Sequence, residues 1–312
     1  KTLEDFSAQR NDSGMLRTLS TMDLTFLGIG GIIGSGVFVL TGIGAARYAG
    51  PGIVLSFIAA GLLCMLVGLA YAELASLIPA AGSAYAYTFA SLGEGMAFLC
   101  GWSLIIGYIV TASAVAVGFS AYFSGMMASL GMEIPKALLT TMPEGGIINL
   151  PAVVITLIIG VILAHGTKES SRLNTILISL TLCAIVAYVV VTSPHAVAAN
   201  LDPFLPFGAG GIMAGAAVVF FSFMGFDTVA TSAEECKTPE KSLPIGIIAS
   251  VFVCLCIYSV VALVLTATIP YTDLDRADPV ASCRHGRYPL RYDHDPHRLH
   301  LRSGTRLLCH VA

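Results

Sequence analysis

Two short stretches hold the residues whose types and spacing could do chemistry. The first reads Gly28-Ile-Gly-Gly-Ile-Ile-Gly-Ser-Gly36 and runs on as Val-Phe-Val-Leu-Thr-Gly42. Five glycines fall in these nine residues, each costing a helix about 1 kcal/mol against alanine. One reading is a break, with the helix unwinding over residues 33–36 and restarting toward Thr41. The freed amides of Gly34, Ser35 and Gly36 would then hold an anion such as a carboxylate through hydrogen bonds and a helix dipole. The other reading is close helix packing, since Gly30 and Gly34 form a GxxxG pair. The second stretch, Phe220-Phe-Ser-Phe-Met-Gly-Phe-Asp227, sets Gly225 and an acid inside an apolar run. An ionisable group at mid-helix in a bilayer costs about 2.5–3.5 kcal/mol, so Asp227 must face protein or water. Phe220, Phe221, Phe223 and Phe226 could wall a small pocket, or simply face lipid or core. A second interrupted run favours the break over the packing motif in the first.

The elements that must position these residues are membrane spans. Hydrophobic residues make up 56% of the 312 and charged residues 11%, against about one-half and one-quarter in soluble domains. The apolar residues come in runs of about twenty, the helix length that crosses about 30 Å of hydrocarbon. Seven spans are expected, at 22–46, 52–77, 96–127, 147–164, 175–191, 211–233 and 245–269. All are helices, because an unpaired peptide group facing lipid costs several kcal/mol. Residues 1–21 form a polar tail, 22–270 the bundle, and 271–312 a loop followed by an Arg- and His-rich stretch. Lys and Arg in the short connections set the orientation. A cytoplasmic N-terminus puts Lys1, Arg10, Arg17, Lys168, Arg172, Lys237 and Lys241 inside and Arg47, Lys136 and Arg276 outside. The start is too polar, and the first apolar run too long, for a cleavable signal peptide. The eight cysteines show no spacing of a disulfide framework or zinc site. Neither cofactor nor metal is implied.

Several ordered motifs resemble those of the amino acid–polyamine–organocation superfamily, nearest to its cationic amino-acid transporter-like bacterial permeases. They are Gly-Ile-Ile-Gly-Ser-Gly36, Tyr71-Ala-Glu-Leu-Ala-Ser-Leu-Ile-Pro-Ala-Ala-Gly-Ser-Ala-Tyr85, Gly101-Trp-Ser-Leu, Lys168-Glu-Ser-Ser-Arg-Leu-Asn174, and Gly225-Phe-Asp followed by Glu234-Glu-Cys-Lys-Thr-Pro-Glu-Lys-Ser-Leu-Pro244. The likeness covers residues 15–282. It implies an all-α fold of two inverted five-helix repeats, with spans one and six discontinuous at the substrate, of which this sequence holds the first seven helices. It further implies that the amides at Gly34, Ser35 and Gly36 take a substrate carboxylate. Carbonyls near Ile32 and Ile33, and around Phe223 and Met224, would take the amino group. Phe221 matches an aromatic gate and Asp227 an acid tied to gating. The implied activity is secondary active transport of an amino acid across the inner membrane by alternating access, with protons or exchange as the coupling. Thr181 stands where some proton-coupled relatives carry lysine, and Gly107 where many carry an acid. These departures weaken proton coupling and a charged substrate, and lean the substrate toward uncharged or branched side chains. A cationic amino-acid or polyamine exchanger stays open. Glu73 is expected to pair within the bundle, and His165 to be a loop residue.

From Cys283 to Ala312 six arginines and five of the seven histidines crowd together. This tail is expected to be out-of-frame sequence, its His294, His297 and His300 spacing accidental rather than metal-ligating, and its arginines no nucleic-acid patch. With only two helices of a second repeat, the chain as written is expected not to transport, and a non-transporting membrane protein is the rival reading. An intramembrane enzyme would need a nucleophile with a base, paired acids or metal ligands within the spans, and Asp227 has no such partner. A channel would need rings of like charge or polar stripes, which are also lacking.

Overall fold

The computed structural model describes residues 19–274 except Pro79, Ala81, Glu133, 141–145 and Gly166. The Arg- and His-rich tail therefore lies outside the described residues, as do the polar start before Leu19 and the side chain of His165. Every regular element among the described residues is helical: α1 (Thr21–Ile32), α2 (Val39–Gly44), α3 (Ile53–Leu77), α4 (Ser83–Leu92), α5 (Glu94–Ser129), α6 (Leu150–His165), α7 (Thr167–Thr192), α8 (Gly208–Phe220), α9 (Thr228–Thr231), α10 (Pro239–Thr268) and α11 (Tyr271–Leu274), with short 3-10 turns between them. Five stretches are long and apolar enough to cross a membrane: Val39–Leu77, Glu94–Ala128, Thr175–His195, Gly208–Thr231 and Pro239–Thr268. Thr21–Ile32 and Leu150–Ala164 are shorter and equally apolar. The first expected span is interrupted, so its helix α1 is short. The protein is an all-α polytopic membrane protein.

Several polar side chains inside the spans are satisfied by their own helices. Ser103, Thr156, Ser179, Thr181 and Thr266 each donate a hydroxyl to the carbonyl four residues back, at 2.8–2.9 Å. Such back-bonding lets a hydroxyl sit in hydrocarbon without a penalty. Large apolar side chains lie exposed along α3, α5, α6 and α7, among them Leu66, Ile109, Leu157 and Val186. Water disfavours such a surface; lipid does not.

The chain forms two compact units, each assembled from three stretches. In the first (residues up to 37, 54–110 and 212–259) a core of Leu24, Ala75, Ile78, Ala86, Tyr87, Val229, Leu243 and Ile247 packs α1, α3, α4, α9 and α10 together. Its N-terminal edge is tied down by backbone. The Leu19 amide donates to the Glu235 carbonyl at 3.1 Å, and the Lys237 amide returns to the Leu19 carbonyl at 3.2 Å. Ser20 then caps α1: its hydroxyl accepts from the Asp23 amide, and the Asp23 carboxylate accepts from the Ser20 amide at 2.9 Å. Such a reciprocal box satisfies two of the donors that a helix start leaves unpaired.

In the second unit (38–53, 111–211 and from 260 on) Phe38 meets Tyr188 edge to face at 5.0 Å. Asn200 closes the end of α10 by donating to the Ala267 and Thr268 carbonyls at 2.9 and 3.2 Å. Helix α4 falls between the expected spans 52–77 and 96–127, where none was expected. Its ten residues, Ser-Ala-Tyr-Ala-Tyr-Thr-Phe-Ala-Ser-Leu, are too few and too mixed to read as a span.

Candidate functional site

Span one is broken where the glycines predicted. The α-ladder of α1 closes when the Ile33 amide donates to the Ile29 carbonyl at 2.8 Å, and Ile33 itself is extended (φ −73°, ψ 108°). A tight 3-10 turn over Ser35–Val37 follows, held by a long 3.4 Å bond from Val37 to the Gly34 carbonyl. A regular ladder restarts only where the Gly42 amide donates to the Phe38 carbonyl at 2.9 Å. The amides of Gly34, Ser35 and Gly36 fall in this gap.

Span six breaks likewise. α8 tightens into a 3-10 turn over Phe221–Phe223, Met224 is extended (φ −61°, ψ 139°), and Gly225 takes φ +114°, which L side chains avoid. The chain re-enters a helix at α9 with Asp227 as the cap residue. Thr228 restrains the exit: its hydroxyl donates to the Gly225 carbonyl at 2.6 Å.

The two breaks lie against one another, backbone to backbone. A methyl on Gly31 would come within 2.9 Å of the Gly225 carbonyl oxygen and 2.7 Å of the Thr228 hydroxyl. One on Gly225 would reach 2.7 Å from the Gly31 carbonyl carbon, and one on Gly36 would lie 2.7 Å from the Ser222 hydroxyl. Three glycines are therefore required by contact, not only by unwinding.

Two tyrosines from other helices hold these junctions. Tyr258, on α10 and wholly buried, donates its hydroxyl toward the Ile32 carbonyl at 2.9 Å and the Ser222 carbonyl at 3.0 Å. Its ring packs on Phe57 and Phe223, centroids 5.4 and 5.2 Å away. Tyr108, on α5, donates its hydroxyl to the Asp227 carboxylate, and the Ser83 hydroxyl reaches the Asp227 carbonyl at 3.5 Å. Asp227 thus faces protein, as its insertion cost required. Phe226 stacks edge to face on Tyr71 at 5.3 Å, and Tyr71 on Tyr87 at 5.9 Å.

The expected site residues therefore gather in the first unit, on the two breaks, with different roles open to them. Ile32, Ile33, Gly34 and Gly36 offer backbone; Ser35 does too, in the 3-10 turn. Phe221 and Met224 are exposed at the break, 36% and 39%, and can meet a ligand. The Phe223 side chain cannot, being sealed in the Phe57–Tyr258 ring cluster, so only its peptide groups stay available. The Ile32 carbonyl already accepts from Tyr258, which leaves its second lone pair. Thr181 spends its hydroxyl on Leu177 within its own helix, and Glu73, expected to pair, is exposed on α3. Neither Tyr108 nor Tyr258 was singled out from sequence. A tyrosine in an apolar run signals only an amphipathic aromatic, and which helix face meets a break is a matter of tertiary packing.

Two discontinuous helices that meet at their breaks define the class of fold: an all-α polytopic membrane scaffold with its first and sixth spans broken, an arrangement that secondary transporters use. The amino acid permease family profile matches residues 19–280, and the chain belongs to that family. It is 45% identical over 284 residues to a methylthioribose transporter of Bacillus subtilis, covering 90% of this chain and 61% of that one. To the branched-chain amino acid permease BcaP of the same organism it is 44% identical over 285 residues, 89% of this chain and 61% of the relative. A vacuolar cationic amino acid transporter 4 of Arabidopsis thaliana is 39% identical over 278 residues, 86% and 46% of the two chains. The chain spans about three-fifths of the length of its bacterial relatives.

Proposed function

We propose that this protein serves secondary active transport of an amino acid across the cytoplasmic membrane by alternating access, with its N-terminus in the cytoplasm. One observation supports the reading: two interrupted helices meet at their breaks, so that amides and carbonyls that have left the α-ladder stand near one another. An amino acid presents the complementary pair of groups. Its carboxylate fits the amides of Gly34, Ser35 and Gly36; its ammonium fits the carbonyls of Ile32, Ile33, Phe223 and Met224. Phe221 and Met224 meet the side chain, and Asp227, tied to Tyr108, links the site to α5. Backbone dipoles read the zwitterion whatever the side chain is. Exposed apolar groups at the break favour an uncharged or branched one, in keeping with the 44% identity to a branched-chain permease. No covalent step is needed. The coupling is proton symport or exchange, and Thr181, its hydroxyl spent on Leu177, offers no proton-carrying group in span five.

A second reading has a specific support, the 45% identity to a protein named for methylthioribose. That sugar has neither carboxylate nor ammonium, so it would use the same junction through hydroxyl groups. Thermal-shift screening of the purified protein against the twenty amino acids and methylthioribose separates the two, because a ligand stabilises only the state it binds. Stabilisation by one or more amino acids supports the first reading. Stabilisation by the sugar alone supports the second, and a flat panel refutes both.

A further inference from the structure

Tyr258 holds these junctions without having been given a part in recognition, and its hydroxyl bonds to both breaks. Its hydroxyl oxygen is 2.9 Å from the Ile32 carbonyl, the last of α1, and 3.0 Å from the Ser222 carbonyl in the turn that ends span six. Both carbonyls have left or are leaving an α-ladder, and both residues are largely buried. A phenol has one proton, so that proton serves two acceptors belonging to two different spans.

We propose that Tyr258 is a positioning residue for amine recognition: from the core side, its hydroxyl fixes the spacing of the Ile32 and Ser222 carbonyls at the separation an ammonium group needs. The geometry sets this spacing. Two oxygens bonded to one atom at 2.9 and 3.0 Å are no more than about 5.9 Å apart, which is also the reach of a single nitrogen donating to both at about 2.9 Å. The hydroxyl oxygen therefore keeps the pair within the distance that one ammonium can bridge, before any ligand arrives. Each carbonyl keeps a second lone pair for the ligand, so Tyr258 need not leave its buried place. Pre-set acceptors cost a ligand less ordering on binding than mobile ones. The ring is locked by Phe57 and Phe223, which makes the hydroxyl a fixed reference and not a swinging gate.

The inference rests on the amino-acid reading above, and its test has one arm that does not. In the first arm, hydrogen–deuterium exchange is followed by mass spectrometry on the unliganded protein in lipid nanodiscs, comparing wild type with Tyr258→Phe and Phe57→Leu. Tyr258→Phe keeps the ring and removes the proton. Exchange should rise about tenfold in both peptides that carry the breaks, residues 33–37 and 223–227, and stay unchanged in α3 and α5. Phe57→Leu, which thins the ring packing and keeps the hydroxyl, should not give that paired pattern. In the second arm, binding of leucine is compared with that of 2-hydroxy-4-methylpentanoate, which replaces the ammonium by a hydroxyl. Tyr258→Phe should weaken leucine about tenfold and the hydroxy acid by less than about twofold, so that the selectivity between them collapses. Equal losses for both ligands mean a merely structural role and overturn the proposal, as does unchanged exchange at either break. If wild type binds no amino acid, the transport reading fails, and the exchange arm alone decides whether Tyr258 holds both breaks.

Discussion

Gly225→Ala tests the junction where it is tightest. Two penalties are independent. Gly225 has φ +114°, and holding an L residue in such a region costs about 1–3 kcal/mol. The new methyl would also lie 2.7 Å from the Gly31 carbonyl carbon and 3.4 Å from the Ile32 amide nitrogen. Both are backbone, which cannot swing aside, and forcing a methyl into a filled space costs about another 1–3 kcal/mol. The expected loss is about 2–6 kcal/mol, a large share of the stability of most domains. Gly31→Ala should cost less, about 1–3 kcal/mol, since its backbone is helical and only the contacts with the Gly225 carbonyl and Thr228 hydroxyl are crowded. Because both substitutions force apart the same gap, the double variant should lose less than the sum, with a coupling of about 0.5–3 kcal/mol. Gly160, on α6, has nothing within 4 Å of a new methyl, so Gly160→Ala should stay within about 1 kcal/mol of wild type. Unfolding by sodium dodecyl sulfate in mixed micelles, followed by far-ultraviolet circular dichroism, measures all four. Wild-type stability for Gly225→Ala, or strict additivity of the pair, would mean that the two spans are not broken against each other.

Two further outcomes follow from single contacts. Tyr108→Phe and Asp227→Asn should each destabilise, and in a double-mutant cycle should couple by about 1.5–3 kcal/mol, the range of a hydrogen bond to a charged group; independent effects would show that the contact of Tyr108 with the Asp227 carboxylate carries no energy. Ser20→Ala removes the cap hydroxyl of α1 and should cost about 1 kcal/mol, seen as faster amide exchange confined to the first turn of α1, whereas faster exchange throughout the helix would point to loss of packing.

Much of this was legible because glycine and charge are costly in a membrane helix, so their presence needs a reason. Five glycines in residues 28–36, and Gly225 two residues before Asp227, marked both breaks to within a residue or two. Period and length marked the spans, though helix ends ran past the apolar windows: α5 begins at Glu94 and α7 at Thr167, where polar residues continue a helix that hydropathy stops reporting. What stayed hidden depends on rotation about a helix axis. Whether Phe223 lines a cavity or fills the core turns on about 100° of helical phase, and apolar neighbours all round give no phase. The sequence left the phenylalanines either as the wall of a pocket or as facing lipid or core; folding sends Phe223 to Phe57 and Tyr258, Phe226 to Tyr71, and leaves Phe221 exposed.

The same contacts bear on how the junction can move. A site made of peptide groups cannot change its chemistry by substitution, so its control must come from whatever holds the peptide groups in place. Here two hydroxyls do so from different helices: Tyr258 of α10 on the Ile32 and Ser222 carbonyls, and Tyr108 of α5 on the carboxylate beside the second break. Tyr258 makes two such bonds and Tyr108 one, each worth about 0.5–3 kcal/mol according to charge. That is enough to bias a two-state equilibrium by factors of about 2 to 100, and little enough to break on the microsecond-to-millisecond timescale of such motions. The glycine contacts act differently, because Gly31 against Gly225 is a matter of excluded volume that no fluctuation of a side chain relieves. Any rearrangement of α1 or α9 that keeps the Gly31–Gly225 approach must therefore pivot at it, and the bond of Tyr108 to Asp227 is the one positioned to break and reform as it does.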